Sequence, residues 1–243
     1  MTAYLFRSFE IANQVDPIVD TLAPAIKEAR TDQLLDLCSG GAGPMPLVVE
    51  TLRQRGVEVH ATLTDLFPNV AFFERAAKAS GGCIDFIAEP VDATAVSPTI
   101  PGFRTIFNAF HHLRPAEARR VLASAVEARR PIAVVEMVGR EPATILSMPF
   151  AVIAVLLLMP TIRPLHWSWL LFTYLIPLIP LLVAFDGFVS CLRVYSVREL
   201  EGLVSKIDFD PERYRFEFGR VRIGKIPAHA TYLIGMPTEA HGG

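Results

Sequence analysis

The sequence predicts an α/β fold in which helices cover both faces of a mostly parallel, seven-stranded sheet. Three observations carry this prediction. An apolar run at 34–37 contains an aspartate and breaks into a glycine-rich loop at 38–44. Short apolar runs alternate with amphipathic helical patterns from residue 16 to residue 138, and a nearly uncharged stretch at 142–185 interrupts that alternation. Strands that alternate with helices are joined by right-handed crossovers, which produces a doubly wound sheet.

The glycine-rich loop follows the first predicted strand. Residues 34–44 read Leu-Leu-Asp-Leu-Cys-Ser-Gly-Gly-Ala-Gly-Pro. Glycine reaches positive φ without steric cost and lets a ligand approach the main chain closely. The dinucleotide-binding pattern is an alternative, but its glycines are spaced G-x-G-x-x-G and its acid follows the next strand. Because Asp36 precedes the glycines here, the loop predicts a different small-ligand site at the carboxyl edge of the sheet.

The other elements follow in order along the chain. Residues 16–29 form an amphipathic helix, because Ile18, Leu22 and Ile26 recur on one face. Periodicity and the positions of glycine and proline predict further helices at about 46–55, 68–80, 115–130 and 197–207. The same reasoning predicts the remaining strands at 57–63, 84–88, 105–107, 132–138, 214–221 and 230–236. The core domain is therefore predicted to comprise 1–140 and 190–243, with an insert at 141–189.

Polar side chains follow the second and fourth predicted strands. Asp65 ends the second strand, where an acid either accepts hydrogen bonds from the two hydroxyls of a ribose or caps the helix that begins near Pro68. His111 and His112 follow the fourth strand. Adjacent histidines on a turn point apart and no third ligand is evident, so no metal site is predicted.

Composition limits the partners of the protein. Lys plus Arg number 23 and Asp plus Glu number 25, a formal net charge of −2, so there is no basic excess to attract nucleic acid. Cys38, Cys83 and Cys191 are widely separated and odd in number, which favours a reducing compartment. The first residues lack the features of a signal peptide, so we expect no secretion.

The predicted insert is strongly apolar. Hydrophobic residues make up 51% of the chain and the mean hydropathy is +0.37. Within 142–185 Arg163 is the only charged residue. At about 1.5 Å per helical residue, 143–162 and 165–185 are each long enough to cross a hydrocarbon core of roughly 30 Å. A hairpin that turns at Arg163-Pro164 would return the chain to the sheet.

Two further features refine the hairpin. Four prolines favour a kinked or re-entrant hairpin over two straight spans: Pro149, Pro160, Pro177 and Pro180. Basic residues flank both ends of the insert against one arginine in its turn, so the positive-inside rule places the core on the cytoplasmic side of the membrane. The alternative is an apolar lid or a dimer interface in a soluble cytoplasmic enzyme.

Polar residues come directly after the insert. In a helix, Asp186, Ser190 and Arg193 fall at i, i+4 and i+7 and share a face, and Tyr195 follows closely. Polar groups gathered where an apolar hairpin meets the core would hold the head of an acceptor substrate. The alternative is that this helix end only rests on the membrane surface, with an ion pair between Asp186 and Arg193.

Taken together, these segments resemble the class I S-adenosylmethionine-dependent methyltransferases, in particular a bacterial family with an apolar insert. The resemblance spans nearly the full length and rests on Phe9-Glu10, 36–43, Leu63-Thr64-Asp65, the His pair, 186–195 and 232–235. Cys38 departs from it, because a glycine is usual at that position. The resemblance implies a Rossmann-like fold and S-adenosylmethionine as the methyl donor.

The resemblance also implies roles for individual residues. Asp36 would orient the methionine end of the donor, Asp65 would hold its ribose, and Asp92 with Ala93 would meet its adenine. The remaining donor-binding residues would be Cys38, Gly40, Gly41, Gly43, Asn108 and Phe110.

We therefore expect a methyltransferase that acts on a lipophilic small molecule or lipid at the cytoplasmic face of a membrane. His111 or His112 would take the proton of the acceptor, because histidine titrates near neutral pH. Asp186, Ser190, Arg193 and Tyr195 would bind the acceptor. The alternative function is a non-enzymatic membrane adaptor with a degenerate nucleotide-binding fold.

Overall fold

The predicted strands form one seven-stranded sheet in the computed structural model, which describes residues 15–162, 165–224 and 228–238. The Phe9-Glu10 motif and the Arg163-Pro164 turn lie outside the described residues. The strands are β1 (Gln33–Asp36), β2 (His60–Leu63), β3 (Ile84–Phe86), β4 (Phe103–Phe107), β5 (Ile132–Glu136), β6 (Tyr214–Ile223) and β7 (Ala228–Pro237). Their order across the sheet is β3-β2-β1-β4-β5-β7-β6.

The sheet is mostly parallel, as predicted. The first five strands pair in parallel, and β7 lies antiparallel between β5 and β6. Asp36 at the end of β1 is in register with Leu63 of β2 on one side and Thr105 of β4 on the other. The strand order reverses between β1 and β4, and ligands of doubly wound sheets bind outside the carboxyl ends of the strands at such a point. The glycine-rich loop lies there.

Eight helices are found among the described residues. They are α1 (Asp16–Glu28), α2 (Met45–Gln54), α3 (Val70–Ala79), α4 (Pro115–Glu127), α5 (Pro142–Leu158), α6 (Trp167–Leu170), α7 (Leu178–Arg193) and α8 (Val197–Val204). The helices α1, α2 and α3 pack against one face of the sheet, and α4 and α8 pack against the other. Successive β5 residues alternate between the two cores, since Ala133 belongs to the first and Val134 to the second.

The segment predicted as an insert is helical in its described part. The helices α5 and α7 pack against each other around a small core of Val155, Met159, Ile162 and Val183. Pro160 lies in a 3-10 turn after α5 and Pro177 is the N-cap of α7, which are positions where a missing N–H is tolerated. The helix α7 runs through residues 189 and 190, so the predicted domain boundary lies inside one helix.

In the described part of the chain, no single helix combines the length and the hydropathy of a membrane span. Residues Trp167–Leu175 and Leu178–Arg193 meet that standard only as a pair, with a bend of 76° at the break between them.

Candidate functional site

The loop after β1 places four residues in the left-handed backbone region. Gly40 (φ +57°) and Gly43 (φ +46°) adopt it, and so do Cys38 (φ +57°) and Ala42 (φ +75°), whereas Gly41 does not. A residue with a side chain pays roughly 1–2 kcal/mol for this conformation. The tight turn therefore depends on two glycines and two strained residues rather than on three glycines.

The buried side chain of Asp36 holds this loop through hydrogen bonds. Its carboxylate is 3% exposed. Oδ1 accepts a hydrogen bond from Thr105 Oγ1 at 2.8 Å, and Oδ2 accepts one from Ser39 Oγ at 2.6 Å. Burial raises the pKa of Asp36 to about 7, although the two hydroxyl groups act to lower it. Asp36 thus ties the loop to β4.

Asp65 joins the same loop to the end of β2. Its Oδ2 accepts a hydrogen bond from the backbone N–H of Gly40 at 2.8 Å, and its Oδ1 accepts one from the backbone N–H of Phe67 at 2.9 Å. The carboxylate is half-buried. Asp36 and Asp65 therefore lie at one edge of the sheet, on adjacent strands, and contact the same turn.

Asp92 lies beside this pair. Its Oδ1 accepts a hydrogen bond from the backbone N–H of Thr94 at 2.8 Å and so caps the short turn Ala93–Ala95, in which Ala93 is buried. The N–H of Val91 donates to the carbonyl oxygen of Asp65 at 2.9 Å. The structure thus gives Asp92 a capping role at the same edge.

The pKa of the Cys38 thiol responds both to its burial and to the acids at this edge. Burial raises its pKa to about 12, and the carboxylates of Asp65, Asp36 and Asp92 add to the effect. All three predicted donor-binding acids therefore act on one side chain. The edge is acidic, and a cation would be favoured there.

Asn108 and Phe110 follow β4 in different environments. Asn108 is half-buried with φ +49°, and its Oδ1 accepts a hydrogen bond from the backbone N–H of Met137 at 2.6 Å. Phe110 is fully buried, with its ring centroid 5.6 Å from that of Tyr195. Asn108 therefore lies at the sheet edge, whereas Phe110 packs in the core behind it.

His111 is held between two buried polar side chains. Its Nδ1 lies 2.7 Å from Glu136 Oε2, and its Nε2 lies 3.0 Å from Ser190 Oγ. The backbone N–H of His111 also donates to Glu136 Oε1 at 3.0 Å. Because a carboxylate only accepts, Nδ1 donates to Glu136, and in the neutral imidazole Nε2 is then the acceptor for the Ser190 hydroxyl. This arrangement can take up a proton at Nε2 while Glu136 stabilises the imidazolium.

The end of α7 contacts three consecutive residues after β4. Ser190 contacts His111 as described, Arg193 Nη2 donates to the carbonyl oxygen of His112 at 3.0 Å, and the Tyr195 hydroxyl donates to the carbonyl oxygen of Leu113 at 2.8 Å. The turn that carries both histidines is therefore held against the end of the apolar segment by these contacts.

His112 is the exposed member of the pair. Its ring centroid lies 4.2 Å from that of His111. Burial and then His111 lower the pKa of His112, whereas the Asp186 carboxylate acts in the opposite direction. The predicted shared face of Asp186, Ser190 and Arg193 therefore turns toward the histidines.

Sequence reasoning missed two parts of the site. Glu136 lies within the strand predicted over 132–138 and was given no role, although an acid in an otherwise apolar strand is itself a signal. Leu66 and Phe67 follow Asp65 and are 45% and 83% exposed, which leaves an apolar surface beside the acidic edge. Within the described ranges, no three His, Cys, Asp or Glu side chains are placed to hold a metal ion.

The sequence matches no protein-family model and no curated protein, but the fold matches solved methyltransferases. It is similar to mitomycin 7-O-methyltransferase MmcR, with a TM-score of 0.51 and 15% identity over 88% of this chain and 52% of that one. For LaPhzM the TM-score is 0.50 and the identity 14%, over 90% and 55% of the two chains.

The third similar structure was solved with ligands. The O-methyltransferase NcsB1 from neocarzinostatin biosynthesis, in complex with S-adenosyl-L-homocysteine and 1,4-dihydroxy-2-naphthoic acid, matches with a TM-score of 0.50 and 11% identity over 89% and 56% of the chains. The present chain spans about half the length of these structures. At such identities the similarity concerns the fold, and the predicted Rossmann-like methyltransferase fold is confirmed.

Proposed function

We propose that the protein is an S-adenosylmethionine-dependent methyltransferase that transfers a methyl group to a hydroxyl of a lipophilic small molecule or lipid. The observation that carries the proposal is the proximity of two features at one sheet edge. The acidic loop formed around Asp36 and Asp65 lies on β1 and β2, and the buried Glu136–His111 pair lies on the neighbouring β4 and β5.

The residues at the acidic edge fit this donor. S-adenosylmethionine supplies a methyl group activated by a positively charged sulfonium sulfur. The carboxylates around Cys38 complement that charge. Each oxygen of Asp65 accepts one backbone hydrogen bond and retains a second lone pair for a ribose hydroxyl. Leu66 and Phe67 offer apolar surface to the adenine.

The His111 side chain is suited to remove a proton from the acceptor. Ser190 Oγ occupies the position next to Nε2 that an acceptor hydroxyl would otherwise take. An acceptor hydroxyl at Ser190 passes its proton to the serine oxygen while the serine proton moves to His111 Nε2. The resulting imidazolium is balanced by Glu136.

The lipophilic acceptor is proposed from the surface of α5 and α7. Both helices expose apolar residues at helical spacing, which gives each one an apolar face: Leu146, Phe150, Ile153 and Leu157 on α5, and Leu178, Leu181, Leu182, Phe185, Phe188 and Leu192 on α7. Ser190 links α7 directly to His111. We propose that these faces meet the cytoplasmic side of a membrane and that the acceptor reaches the base along them.

Calorimetry with S-adenosylmethionine and S-adenosylhomocysteine tests the donor site. We expect binding of both, and a loss of at least tenfold in affinity for Asp65→Ala, about 1.4 kcal/mol or more. Asp85→Ala, which removes an exposed acid on β3, is the matched control and should bind normally. A wild-type protein that binds neither nucleoside would overturn the proposal.

A membrane adaptor without enzymatic activity is the second candidate. Cys38 and Ala42 favour it, because both carry a side chain in a backbone conformation that suits glycine, as a degenerate loop would. Labelled donor incubated with a crude lipid extract separates the candidates. Methyl transfer that His111→Ala abolishes supports the enzyme, whereas donor binding without any transfer supports the adaptor.

A further inference from the structure

A cavity of about 380 Å³ opens where α5 and α7 meet the core. Gly139, Arg140 and Glu141, which precede α5, line one side, and residues 194–198, which follow α7, line the other. Arg220 of β6 and Thr231 of β7 complete it. The cavity thus lies between the two ends of the apolar segment and has a volume typical of small-molecule sites.

Three guanidinium groups line this cavity. Arg140 pairs with Glu199 at 3.0 Å, and Arg220 pairs with Glu141. Arg198 forms no ion pair with any residue of the described ranges and is exposed. Because Glu141 and Glu199 each already pair with another arginine, Arg198 leaves uncompensated positive charge. The first turn of α8 also faces the cavity through Val197 and Arg198. The Ser196–Glu199 capping box already binds the backbone N–H groups of Ser196 and Glu199, so the helix dipole and the N–H groups of Val197 and Arg198 are what favour an anion there.

The apolar side of the cavity continues onto the membrane-facing helices. Val194 and Tyr195 line it and are buried, and the neighbouring Leu192 and Phe188 of α7 are exposed. A ligand with its charge at the arginines would therefore direct an apolar tail along α7. That geometry corresponds to an amphiphile with an anionic head.

The cavity is also close to the base. Thr231 lines it and is in register with Glu136 of β5, whose carboxylate holds His111. A head group bound here lies one strand away from the Glu136–His111 pair.

We propose that this cavity binds the phosphate group of a membrane amphiphile whose head group carries a net negative charge, held by Arg140, Arg198 and the first turn of α8, with its acyl chains along α5 and α7. The identification of the amphiphile rests on the proposed function, because it requires α5 and α7 to meet a membrane. The phosphate site itself rests only on the cavity and its charges.

Vesicle binding tests the site. We compare phosphatidylcholine vesicles with and without phosphatidylglycerol. For R140Q/R198Q we expect about 25-fold weaker binding to the phosphatidylglycerol vesicles, because each basic residue at an anionic surface contributes about a factor of five. Binding to pure phosphatidylcholine should not change. The control R119Q/R120Q removes two exposed arginines of α4 and the same charge.

Inorganic phosphate at constant ionic strength distinguishes the source of the anion. It should raise the unfolding temperature of the wild type and of R119Q/R120Q but not that of R140Q/R198Q. Phosphate binding without a preference for anionic vesicles retains the site and removes the lipid as its ligand. Equal losses in both double variants, or no dependence of either ligand on Arg140 and Arg198, overturn the proposal.

Calorimetry with S-adenosylmethionine on the same proteins separates this inference from the methyltransferase. R140Q/R198Q should keep the wild-type affinity for the donor. A wild type that binds phosphate through these arginines but no donor would refute the methyltransferase alone.

Discussion

At the scale of single residues, Asp36 holds the loop through hydrogen bonds, but burial of its carboxylate costs free energy. Its hydrogen-bond partners are the hydroxyls of Ser39 and Thr105, which do not offset the loss of solvent around a buried carboxylate. The pKa of Asp36 therefore rises from 3.8 to about 7. Because the folded pKa exceeds the unfolded one, the folded protein holds a proton between these values that the unfolded chain releases. This contribution to stability is complete below the lower value and is lost as the pH rises through the upper one.

Asp36→Asn should remove this pH dependence. At about 1.4 kcal/mol per unit, the variant should gain roughly 4 kcal/mol on the wild type between acidic and neutral pH. Urea unfolding at a series of pH values measures the free energy of unfolding of both proteins. A difference between them that stays constant across the series would contradict a raised pKa for Asp36.

Cys38 should be chemically inert in the folded protein. Its pKa of about 12, against 9.0 for an ordinary thiol, lowers the thiolate fraction at mildly alkaline pH about a thousandfold. Alkylation by iodoacetamide, followed by mass spectrometry of the Cys38 peptide, should be slower by about that factor in buffer than in urea. The same cysteine in the unfolded chain is its own control, and equal rates would show that neither burial nor the carboxylates raise the pKa of the thiol.

At the scale of elements, most of the fold could be predicted because local patterns determine it. The alternation of apolar runs with amphipathic segments located all seven strands, and Asp36 and Asp65 met because parallel strands end at one edge. Glu136 and His111 meet by the same rule, since β4 and β5 are adjacent parallel strands. The contact of His111 with Ser190 could not be predicted, because it joins two residues 79 positions apart. The predicted boundary at residues 189–190 falls inside α7, because hydropathy detects apolar composition and not the end of a helix.

The backbone conformation of the loop could not be predicted either, and the reason is a different one. Propensity assigns positive φ to glycine, and so Gly41 was expected to adopt it and Cys38 was not. Tertiary contacts determine instead which residues of the loop adopt positive φ. The Asp65 carboxylate bonds Gly40 and the Asp36 carboxylate bonds Ser39, which fixes the turn around Cys38.

The contact between α7 and the histidine turn predicts a specific effect of Tyr195→Phe. The variant loses the hydrogen bond to the Leu113 carbonyl, worth about 0.5–1.5 kcal/mol, so its unfolding temperature should fall by about 1–6 °C. Tyr214→Phe, which loses a bond of equal length to the Arg130 carbonyl, should be destabilised to a similar extent. Only Tyr195→Phe should also lower the rate of methyl transfer, because Leu113 lies two residues after His111, the proposed base, and helps to hold its turn. Equal rates in the two variants would show that the contact supports the fold alone.

At the scale of the whole molecule, charge and apolar surface are sorted along one edge of the sheet. The acidic loop lies over β1 and β2, the buried Glu136–His111 pair over β4 and β5, and the arginine-lined cavity beside β6 and β7. The formal net charge of −2 conceals this separation. A cationic donor and an anionic amphiphile would be attracted to opposite ends of the same edge, with His111 between them.

If α5 and α7 meet a membrane, a charge on their exposed face should release the protein. Leu181 is 63% exposed, so Leu181→Asp should leave the fold intact. Transfer of a leucine side chain from water contributes about 1.5–3 kcal/mol, so its loss should weaken partition into vesicles at least tenfold. Flotation with phosphatidylcholine vesicles measures this, and Ala71→Asp on an exposed position of α3 is the control. Donor binding should persist in both variants because Asp65 and Gly40 are untouched. If Leu181→Asp floats as well as the control, the apolar faces of α5 and α7 cover something other than a bilayer, and the acceptor must reach Ser190 from solution.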